Sequence, residues 1–565
     1  MRRKRYVPVR FAVCDRQSPE RALRGVRWGV PECGMPSPSP VRRGPLWMTS
    51  GVLFALLLTP MVAQERSARP QGQPATPSAA EPAALPIPKE TSSATHHELA
   101  LAGKTLKYTA TAGTLHIQGS DEKPYGSIFY VAYTLDDAEA SRRPVTFLYN
   151  GGPGSASIWL HMGSVGPIRV LTASPEATGA GPYQVAPNEY SLLDHTDLVF
   201  IDAPLTGYSR AVGKGTAKDF AGVDQDVAAF NKFIVRWIGV NHRWNSPKFL
   251  FGESYGTTRS AALVDSLERD GVSCNGVILL SSVLNYFNSS PGLVNPYIGN
   301  LPTYAATAWY YKKVPHKGTE KEFLEGVRAF ARGEYAEALA QGHNPPPARF
   351  EAVAAKLAGF TGLSAAYIKD ANLRISPTRF RKEFARGERL ILGRYDTRFE
   401  GTDSDAAGEN PGYDPSSTGI TGAYLTAFRN YLDQQLKYSS ELAYRMRGNE
   451  FLGTWDRTHR AAGGGGPGGP GASMRDAYVA GDLADAIRKN PSLRVFSANG
   501  LFDLATPFFQ TELDLAQMNL EKKLVPNIEF GYYPAGHMIY LNVEALKQFK
   551  SDLASWYDRT LNRGK

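Results

Sequence analysis

A serine between small residues stands near the middle of the chain, in the sequence GESYG at 252–256, directly after the apolar run KFLF. The G-x-S-x-G spacing is typical of a nucleophile elbow, a sharp turn between a strand and a helix that exposes the serine hydroxyl. The stretch after Gly256 has helical periodicity, as this turn requires. Ser254 is therefore the candidate nucleophile for acyl transfer, although an ordinary surface turn can carry the same pattern.

An elbow serine needs an imidazole to accept its proton, and hydrolases with this elbow place the triad in the chain order serine, acid, histidine. Four histidines follow the serine: His316, His343, His459 and His537. The first three fall in a long helical stretch, whereas the fourth, in PAGHMIY, follows the last apparent strand. His537 is therefore the predicted base, although a lone histidine after a strand is often structural.

The acid of the triad is expected on the loop after the preceding strand, where LRVFSANGLFDLATP offers Asp503. The next carboxylate along the chain is Glu512. An aspartate that caps the helix after Pro507 would give the same pattern, and the two roles are compatible. The sequence thus predicts a triad of Ser254, Asp503 and His537.

A glycine-rich turn, in FLYNGGPGSAS at 147–157, follows another apolar run. Such a turn brings bare backbone N–H groups beside the elbow, where donors to an oxyanion are needed. The predicted donors are the N–H groups of Gly152 and of Tyr255, the residue after the serine. A glycine turn after a strand can also cradle phosphate, but this one lacks the lysine of a P-loop and the spacing of a dinucleotide-binding fingerprint.

The positive charge of the chain is concentrated at its N-terminus. The formal net charge is +9, and residues 1–47 hold eleven Lys and Arg against three acidic residues, a net of +8. The remainder therefore carries +9 − 8, or about +1, which argues against nucleic acid or another polyanion as a partner. Because the histidines are scattered and no metal-ligand spacing occurs, neither a metal nor a cofactor is expected.

Residues 48–63, MTSGVLFALLLTPMVA, form an uncharged apolar run that a polar stretch follows. This is typical of a secretory signal cleaved near Ala63, so we expect export to a periplasm or to the outside of the cell. The run is short for a membrane span, but Met61 stands where a small residue is usual, so a retained anchor stays open. Since a signal begins close to its start codon, Met48 is the expected initiator and 1–47 an over-extended start.

Cysteine usage agrees with a fold that packing alone stabilises. Cys14 and Cys33 lie ahead of the apolar run, so an exported form keeps only Cys274. A single cysteine excludes an intramolecular disulfide, even though export would permit one. Cys274 stands beside an apparent strand, and we predict that it is a small buried apolar residue.

Apolar periodicity divides the chain into strands and helices. Residues 98–135 alternate polar and apolar side chains, as antiparallel strands do. Nearly continuous apolar runs, separated by helical stretches, then follow at 145–150, 197–204, 248–254, 276–285, 493–500 and 527–536. Such runs suit parallel strands buried on both faces, and their alternation with helices predicts an α/β sheet.

Together with the elbow, this order predicts the α/β-hydrolase fold, a mostly parallel central sheet with an inserted helical cap. The predicted segments are a leader and signal (1–63), a disordered tether (64–94), a first core part (95–287), the cap (288–485) and a second core part (486–565). Within the cap, the run GGGGPGGPG at 463–471 predicts a mobile loop.

Five motifs in this order make the chain resemble the serine carboxypeptidases, over about 145–287 and 493–540: NGGPGS, IDAPLTGYS, GESYG, GLFDLATP and AGHM. The resemblance implies release of C-terminal amino acids from peptides through an acyl-enzyme. In that family the asparagine before the paired glycines and the glutamate before the nucleophile hold the peptide's free carboxylate. Here these are Asn150, with Gly151 beside it, and Glu253. Met538, after the histidine, is in position to line the pocket for the leaving residue.

Holding a carboxylate requires Glu253 to be protonated, so tighter peptide binding at acid pH is expected. The alternatives are that Glu253 merely fills a permissive elbow position and that Met538 is ordinary core packing. Two residues depart from the family pattern: Leu148 replaces a usual tryptophan, and Ser155 replaces a usual cysteine. Since Leu148 lies at the group that distinguishes exopeptidases, an esterase or acyltransferase with the same triad is an alternative, as is a catalytically silent binding protein. The preferred C-terminal residue and the oligomeric state stay open.

Overall fold

The computed structural model describes residues 84–562, except 291, 449–452, 461–472 and 475. The predicted leader and signal (1–63), most of the predicted tether and the glycine-rich run at 463–471 lie outside the described residues. Those three interpretations therefore stay predictions. Within the described ranges, no helix combines the length and the apolar character needed to cross a bilayer.

One mixed sheet forms the centre of the described structure. Its first three strands pair antiparallel, and they are β1 (Ser92–Leu101), β2 (Lys104–Gln118) and β3 (Pro124–Leu135). The next strand in the sheet is β7 (Asp197–Ile201), which is antiparallel to β3 and starts a parallel series. In spatial order this series is β7, β4 (Val145–Tyr149), β9 (Lys248–Glu253), β10 (Gly276–Leu280), β15 (Arg494–Gly500) and β16 (Ile528–Tyr533).

The parallel strands are buried on both faces, which explains their continuous apolar sequence. In β4, Phe147 packs into the core on one face and Leu148 into the core on the other. Helices α2 (Val223–Val240), α3 (Tyr255–Arg269) and α11 (Ala480–Lys489) cover the first face. The opposite face is covered by α1 (Ile158–Gly163), α10 (Pro415–Gln434) and α13 (Val543–Asn562).

Helix α2 shows why these segments are helical. Val227, Phe230, Ile234 and Trp237 recur at three- or four-residue intervals and are buried as one stripe against the sheet. Acidic side chains occupy its first turn, where they interact favourably with the helix dipole. The predicted fold class, a mostly parallel sheet with helices on both faces, is confirmed.

The segment between β10 and β15 contributes a third apolar cluster. Its helices are α4 (Asn295–Tyr310), α5 (Glu320–Phe330), α6 (Ala336–Ala340), α7 (Pro347–Thr361), α8 (Ala365–Asp370) and α9 (Pro377–Glu383). They pack with α12 (Phe508–Ala516), which follows β15. The inserted helices therefore pack against the segment that carries Asp503.

Short strand pairs complete the described structure: β5 (Ile168–Val170) with β6 (Val185–Pro187), β11 (Leu390–Leu392) with β12 (Glu400–Thr402), and β13 (His459–Arg460) with β14 (Ser473–Met474); β8 (Arg210–Ala211) joins β3. The sequence pattern did not predict them, because strands of two or three residues show no periodicity.

Three observed boundaries differ from the predicted ones. β1 begins at Ser92, and Leu85 already forms a bridge with Gly213, so order starts inside the range given to the tether. Helix α11 crosses the predicted end of the cap and packs on α3 as part of the sheet core. The run at 276–285 is a strand only to Leu280, because Ser281 adopts a φ of 53° that turns the chain. The division into core and cap otherwise stays a prediction.

Candidate active site

The carboxyl ends of β4, β9 and β15 meet at one edge of the sheet, followed by the glycine turn, the elbow and the Asp503 loop. From β4 the chain passes to β7 on one side and later to β9 on the other, so the strand order reverses here. In open α/β sheets such a reversal leaves a crevice outside the carboxyl ends, where ligands bind.

Ser254 occupies the turn between β9 and α3. Its φ of 61° and ψ of −130° are strained for a residue with a side chain, as expected at a nucleophile elbow. The flanking glycines permit this turn. A Cβ on Gly252 would lie 2.1 Å from the carbonyl oxygen of Gly256, and a Cβ on Gly256 would lie 2.9 Å from that of Tyr149. Any larger residue at 252 would therefore push the strand and the helix apart.

The glycine turn after β4 packs directly against the elbow. A Cβ on Gly151 would lie 2.3 Å from the amide nitrogen of Tyr255, so only glycine allows the two backbones this approach. Gly152 has a φ of 108°, and the Ser155 N–H closes the turn by donating to the Gly151 carbonyl at 3.0 Å. The predicted oxyanion donors, on Gly152 and Tyr255, thus lie on adjoining backbone segments beside Ser254.

His537 and Asp503 form a buried pair, with Nδ1 of the ring 2.8 Å from Oδ2 of the carboxylate. The carboxylate Oδ1 also accepts the N–H groups of Ala505 and Thr506, at 2.7 and 3.0 Å. The Thr506 hydroxyl donates to Oδ2 at 2.7 Å. Helix α12 begins later, at Phe508, so Asp503 closes the turn ahead of the helix and does not cap it.

The surroundings of His537 fix both its backbone and its tautomer. Its N–H donates to the Tyr395 carbonyl at 2.6 Å, and its carbonyl accepts the Ser281 hydroxyl at 2.7 Å. Because Nδ1 faces a carboxylate, the proton belongs on Nδ1 and Nε2 keeps the lone pair that a general base needs. Burial lowers the pKa of His537, but the Asp503 carboxylate outweighs this effect, so the pKa lies above its ordinary value.

Glu253 is buried next to the elbow, with 3% of its surface exposed. The Tyr540 hydroxyl donates to its Oε2 at 2.8 Å, and the Asn150 side chain interacts with both groups. Asn150 is itself held by the Leu160 N–H, which donates to its Oδ1 at 2.9 Å. Burial raises the pKa of Glu253 to about 7, so its neutral form, which can donate to a carboxylate, is populated at and below neutral pH.

A cavity of about 400 Å3 opens at this edge of the sheet. The predicted residues in its lining are Asn150, Gly151, Gly152, Glu253, Ser254, Tyr255, His537 and Met538. Asp503 lies behind His537, where it contacts the ring without reaching the cavity. The structure therefore brings all nine predicted site residues to one place, counting these eight and Asp503.

The two departures from the family pattern have different surroundings. Leu148 is fully buried in the sheet core and does not line the cavity, whereas Ser155 does. Cys274 is buried with a free thiol. Among the residues that the structure describes, no cluster of three or more His, Cys, Asp or Glu side chains is arranged to hold a metal ion.

Several residues at the site were missed by sequence reasoning. Thr506 had a local signal, since a hydroxyl residue close after an aspartate often binds its carboxylate in a turn. Tyr540 had none, because its contact with Glu253 joins residues far apart in the chain. The same holds for four residues that come from the region between β10 and β15 to line the cavity: Arg394, Tyr395, Arg447 and Arg457.

Comparison with known proteins gives a partial match to one family. Residues 103–310 match the family model described as serine carboxypeptidase. The matched range contains the glycine turn, Glu253, Ser254 and Tyr255, and it ends before Asp503 and His537.

A pheromone-processing carboxypeptidase of Cryptococcus gattii is 28% identical over 226 residues, which are 39% of this chain and 32% of the relative. The match thus spans about a third of that relative's length. A solved prohormone-processing carboxypeptidase of Saccharomyces cerevisiae superposes over 80% of this chain and 91% of its own, with 14% identity and a TM-score of 0.48. A proline iminopeptidase of Mycobacterium smegmatis superposes over 80% and 100%, with 12% identity and a TM-score of 0.36. Residues 103–310 of the chain are thus similar to the serine carboxypeptidase family, in the part that carries the glycine turn and the elbow.

Proposed function

We propose that the protein is a serine carboxypeptidase, which releases the C-terminal amino acid of a peptide through an acyl-enzyme. One observation carries the proposal: a single cavity is lined by Ser254 and His537 and also by the buried pair Asn150 and Glu253. The first pair suits acyl transfer, and the second suits a terminal carboxylate. A carboxypeptidase needs the acyl-transfer pair and the carboxylate-binding pair within about one residue's length of each other.

In the proposed mechanism, Nε2 of His537 takes the hydroxyl proton of Ser254 as Oγ attacks the carbonyl carbon of the last peptide bond. The N–H groups of Gly152 and Tyr255 donate to the oxygen that becomes negative. The imidazolium then gives its proton to the leaving nitrogen, and the C-terminal amino acid departs. Water, deprotonated by His537, breaks the acyl ester and restores the serine. Asp503 stabilises the imidazolium throughout.

Glu253 ties substrate binding to pH in this proposal. Its neutral carboxyl group donates a hydrogen bond to the peptide's carboxylate, whereas its ionised form repels that group. Because burial raises the pKa of Glu253 to about 7, binding strengthens as the pH falls through neutrality. Peptide binding is therefore favoured on the acid side, and activity with it until the pH is low enough to protonate His537.

We further propose that the protein acts after export. The apolar run at 48–63, which a polar stretch follows, supports this. Cell fractionation would show whether the protein is periplasmic or extracellular. Sizing of the native protein would show whether it associates with copies of itself.

The test is a product analysis on N-blocked dipeptides and on simple esters, with the parent, Ser254→Ala and Ser141→Ala, a surface serine at the other end of the sheet. Release of the free C-terminal amino acid by the parent and by Ser141→Ala, but not by Ser254→Ala, is expected. Labelling of Ser254 by a fluorophosphonate is expected as well. Turnover of esters alone would indicate an esterase or acyltransferase instead. Absence of both labelling and turnover would indicate a silent binding protein and overturn the proposal.

A further inference from the structure

Three arginine side chains reach the candidate active-site cavity from separate loops: Arg394, Arg447 and Arg457. All three residues are exposed, and within the described part of the chain none of them forms an ion pair with a carboxylate. Elsewhere such pairing is common, as between Arg398 and Asp396, whose atoms lie 2.7 Å apart. The cavity therefore concentrates guanidinium groups that pair with no carboxylate among the described residues.

Arg447 is held on the side of the glycine turn. Its two neighbours in the chain are bonded to that turn: the Ala156 N–H donates to the Met446 carbonyl at 3.0 Å, and the Gly448 N–H donates to the Gly154 carbonyl at 2.8 Å. These bonds on both sides fix where the Arg447 backbone stands. The side chain accordingly lines the cavity from a rigid position beside the predicted oxyanion donors.

The other two arginines stand near Tyr286, another residue of the cavity wall. Burial raises the pKa of Tyr286 to about 12, and the charges of Arg457 and Arg394 act against that rise. The Arg394 guanidinium lies 5.4 Å from the ring of Tyr395, and that ring lies 5.1 Å from the ring of His537. Positive charge therefore borders the reacting atoms on this side too.

The charge balance of the lining is positive. Glu253 is the lining residue with a carboxyl group, and it is largely neutral below pH 7. Its immediate partners are Tyr540 and Asn150, not the arginines. Aromatic and aliphatic walls of low dielectric strengthen the field of the guanidinium groups within the cavity. The arginines are thus separate from the Glu253 and Asn150 pair that is expected to hold the terminal carboxylate.

We propose that this cavity selects peptides with an acidic side chain on the amino side of the bond that is cut, held by Arg394, Arg447 and Arg457. The inference rests on the proposed carboxypeptidase function and adds its substrate class. Guanidinium groups suit this role because they stay charged at every working pH and present forked donors that match a carboxylate. A glutamate or aspartate in the penultimate position supplies a counter-charge that the described residues do not provide.

The experiment compares three N-blocked dipeptides that end in alanine and carry Glu, Gln or Lys before it, at about pH 6, where a glutamate side chain is ionised. We expect kcat/KM for the Glu peptide to exceed that for the Gln peptide roughly tenfold, the effect of about 1.4 kcal/mol that one carboxylate shared among partly exposed guanidinium groups can supply. The Lys peptide should be the poorest substrate. Raising the ionic strength should reduce the preference, because exposed charges are screened.

Two variants separate this inference from the proposed function. The triple variant Arg394→Gln, Arg447→Gln, Arg457→Gln should lose the Glu preference while it still cleaves the Gln peptide. The control Arg142→Gln, on the loop before β4 at the opposite end of the sheet, should keep the preference. Equal rates on Glu and Gln peptides, or an unchanged preference in the triple variant, would overturn the inference and leave the carboxypeptidase function standing.

Binding to Ser254→Ala, measured by calorimetry with the same peptides, tests the selection without turnover. Tighter binding of the Glu peptide than of the Gln peptide is expected. If the parent cleaves none of the peptides, the proposed function fails, and this binding series still decides the arginine selection by itself. Equal affinities for all three peptides would overturn it.

Discussion

The carboxyl group of Glu253 illustrates how burial sets the chemistry of one residue. It is almost fully enclosed, and the Tyr540 hydroxyl donates to its Oε2 a hydrogen bond at 2.8 Å that favours the ionised form. Desolvation is the larger effect, so the pKa rises to about 7. The group therefore changes from donor to charged acceptor within the pH range of ordinary assays.

The first prediction concerns Glu253→Gln. Glutamine keeps a donor but cannot ionise, so the rise of KM expected in the parent above pH 7 should disappear in the variant. Below about pH 6 the two enzymes should have similar KM values, because the parent carboxyl is then mostly neutral. The measurement is KM against pH for one blocked dipeptide. Identical pH profiles for parent and variant would remove Glu253 from substrate binding.

Thr506 is the subject of the second prediction. Its hydroxyl donates to Oδ2 of Asp503, the same oxygen that faces Nδ1 of His537. Thr506→Val removes this donor at nearly constant shape, so the carboxylate acts more strongly on the imidazolium. The apparent pKa on the acid limb of kcat/KM should rise by less than about one unit, and kcat should fall several-fold.

A small ester is the substrate for this measurement, because its hydrolysis does not depend on Glu253. Thr506→Ser restores the donor and should restore the parent profile. A pH profile that is the same in the valine variant and the parent would show that the hydroxyl serves the turn alone. The backbone donors from Ala505 and Thr506 remain in every variant, so the loop is expected to keep its conformation.

At the scale of elements, helix α3 is joined to the glycine turn by a buried charge. Arg259 is fully buried, its guanidinium bonds Asp226 of α2 at 2.7 and 3.1 Å, and its Nη1 donates to the Asn150 carbonyl at 2.9 Å. The group also lies 4.0 Å from the ring centre of Phe230. One side chain thus fixes the elbow helix, the neighbouring helix and the start of the turn relative to each other.

The third prediction follows from this arrangement. Arg259→Met leaves Asp226 buried without its partner and should lower the free energy of unfolding by about 3–5 kcal/mol. The double variant Arg259→Met, Asp226→Leu removes both charges and should recover most of that loss, yet kcat/KM should stay low because Asn150 has lost its anchor. Urea unfolding and dipeptide kinetics give the two readouts. Full recovery of kcat/KM in the double variant would contradict a positioning role for Arg259.

Sequence patterns predicted the elements and the local parts of the site for a physical reason. A strand buried on both faces must be apolar throughout, and an elbow at Ser254 must be flanked by small residues, so both leave marks within a few residues. The order of Asp503 and His537 then followed from the topology. The arginines of the cavity and Tyr540 left no such mark, because their position depends on how the inserted segment packs against the sheet.

At the scale of the whole molecule, several buried groups bind protons differently in the folded and unfolded chain. Burial raises the pKa of Glu253 to about 7 and of Asp202 and Asp514 to about 6. Burial alone would lower the pKa of His459, but Asp224 and Asp482 on either side of its ring raise it to about 9. His161 acts in the opposite sense, because burial lowers its pKa to about 3.

These shifts predict that the protein is more stable at about pH 5.5 than at pH 9. Between the unfolded pKa of a carboxyl group, about 4, and its raised folded pKa, the native state holds the extra proton, so stability falls as pH rises through this window. The His459 contribution is full below about pH 6.5 and is lost as pH rises through about 9. His161 has the opposite effect on stability, but only below about pH 6.5. There it is a single group, and the three carboxyl groups act in the other direction. The midpoint of thermal unfolding should fall as the pH is raised from about 5.5 to 9. In His459→Gln the fall above pH 7 should be shallower. A midpoint that rises toward pH 9 would contradict the assigned directions of the pKa shifts.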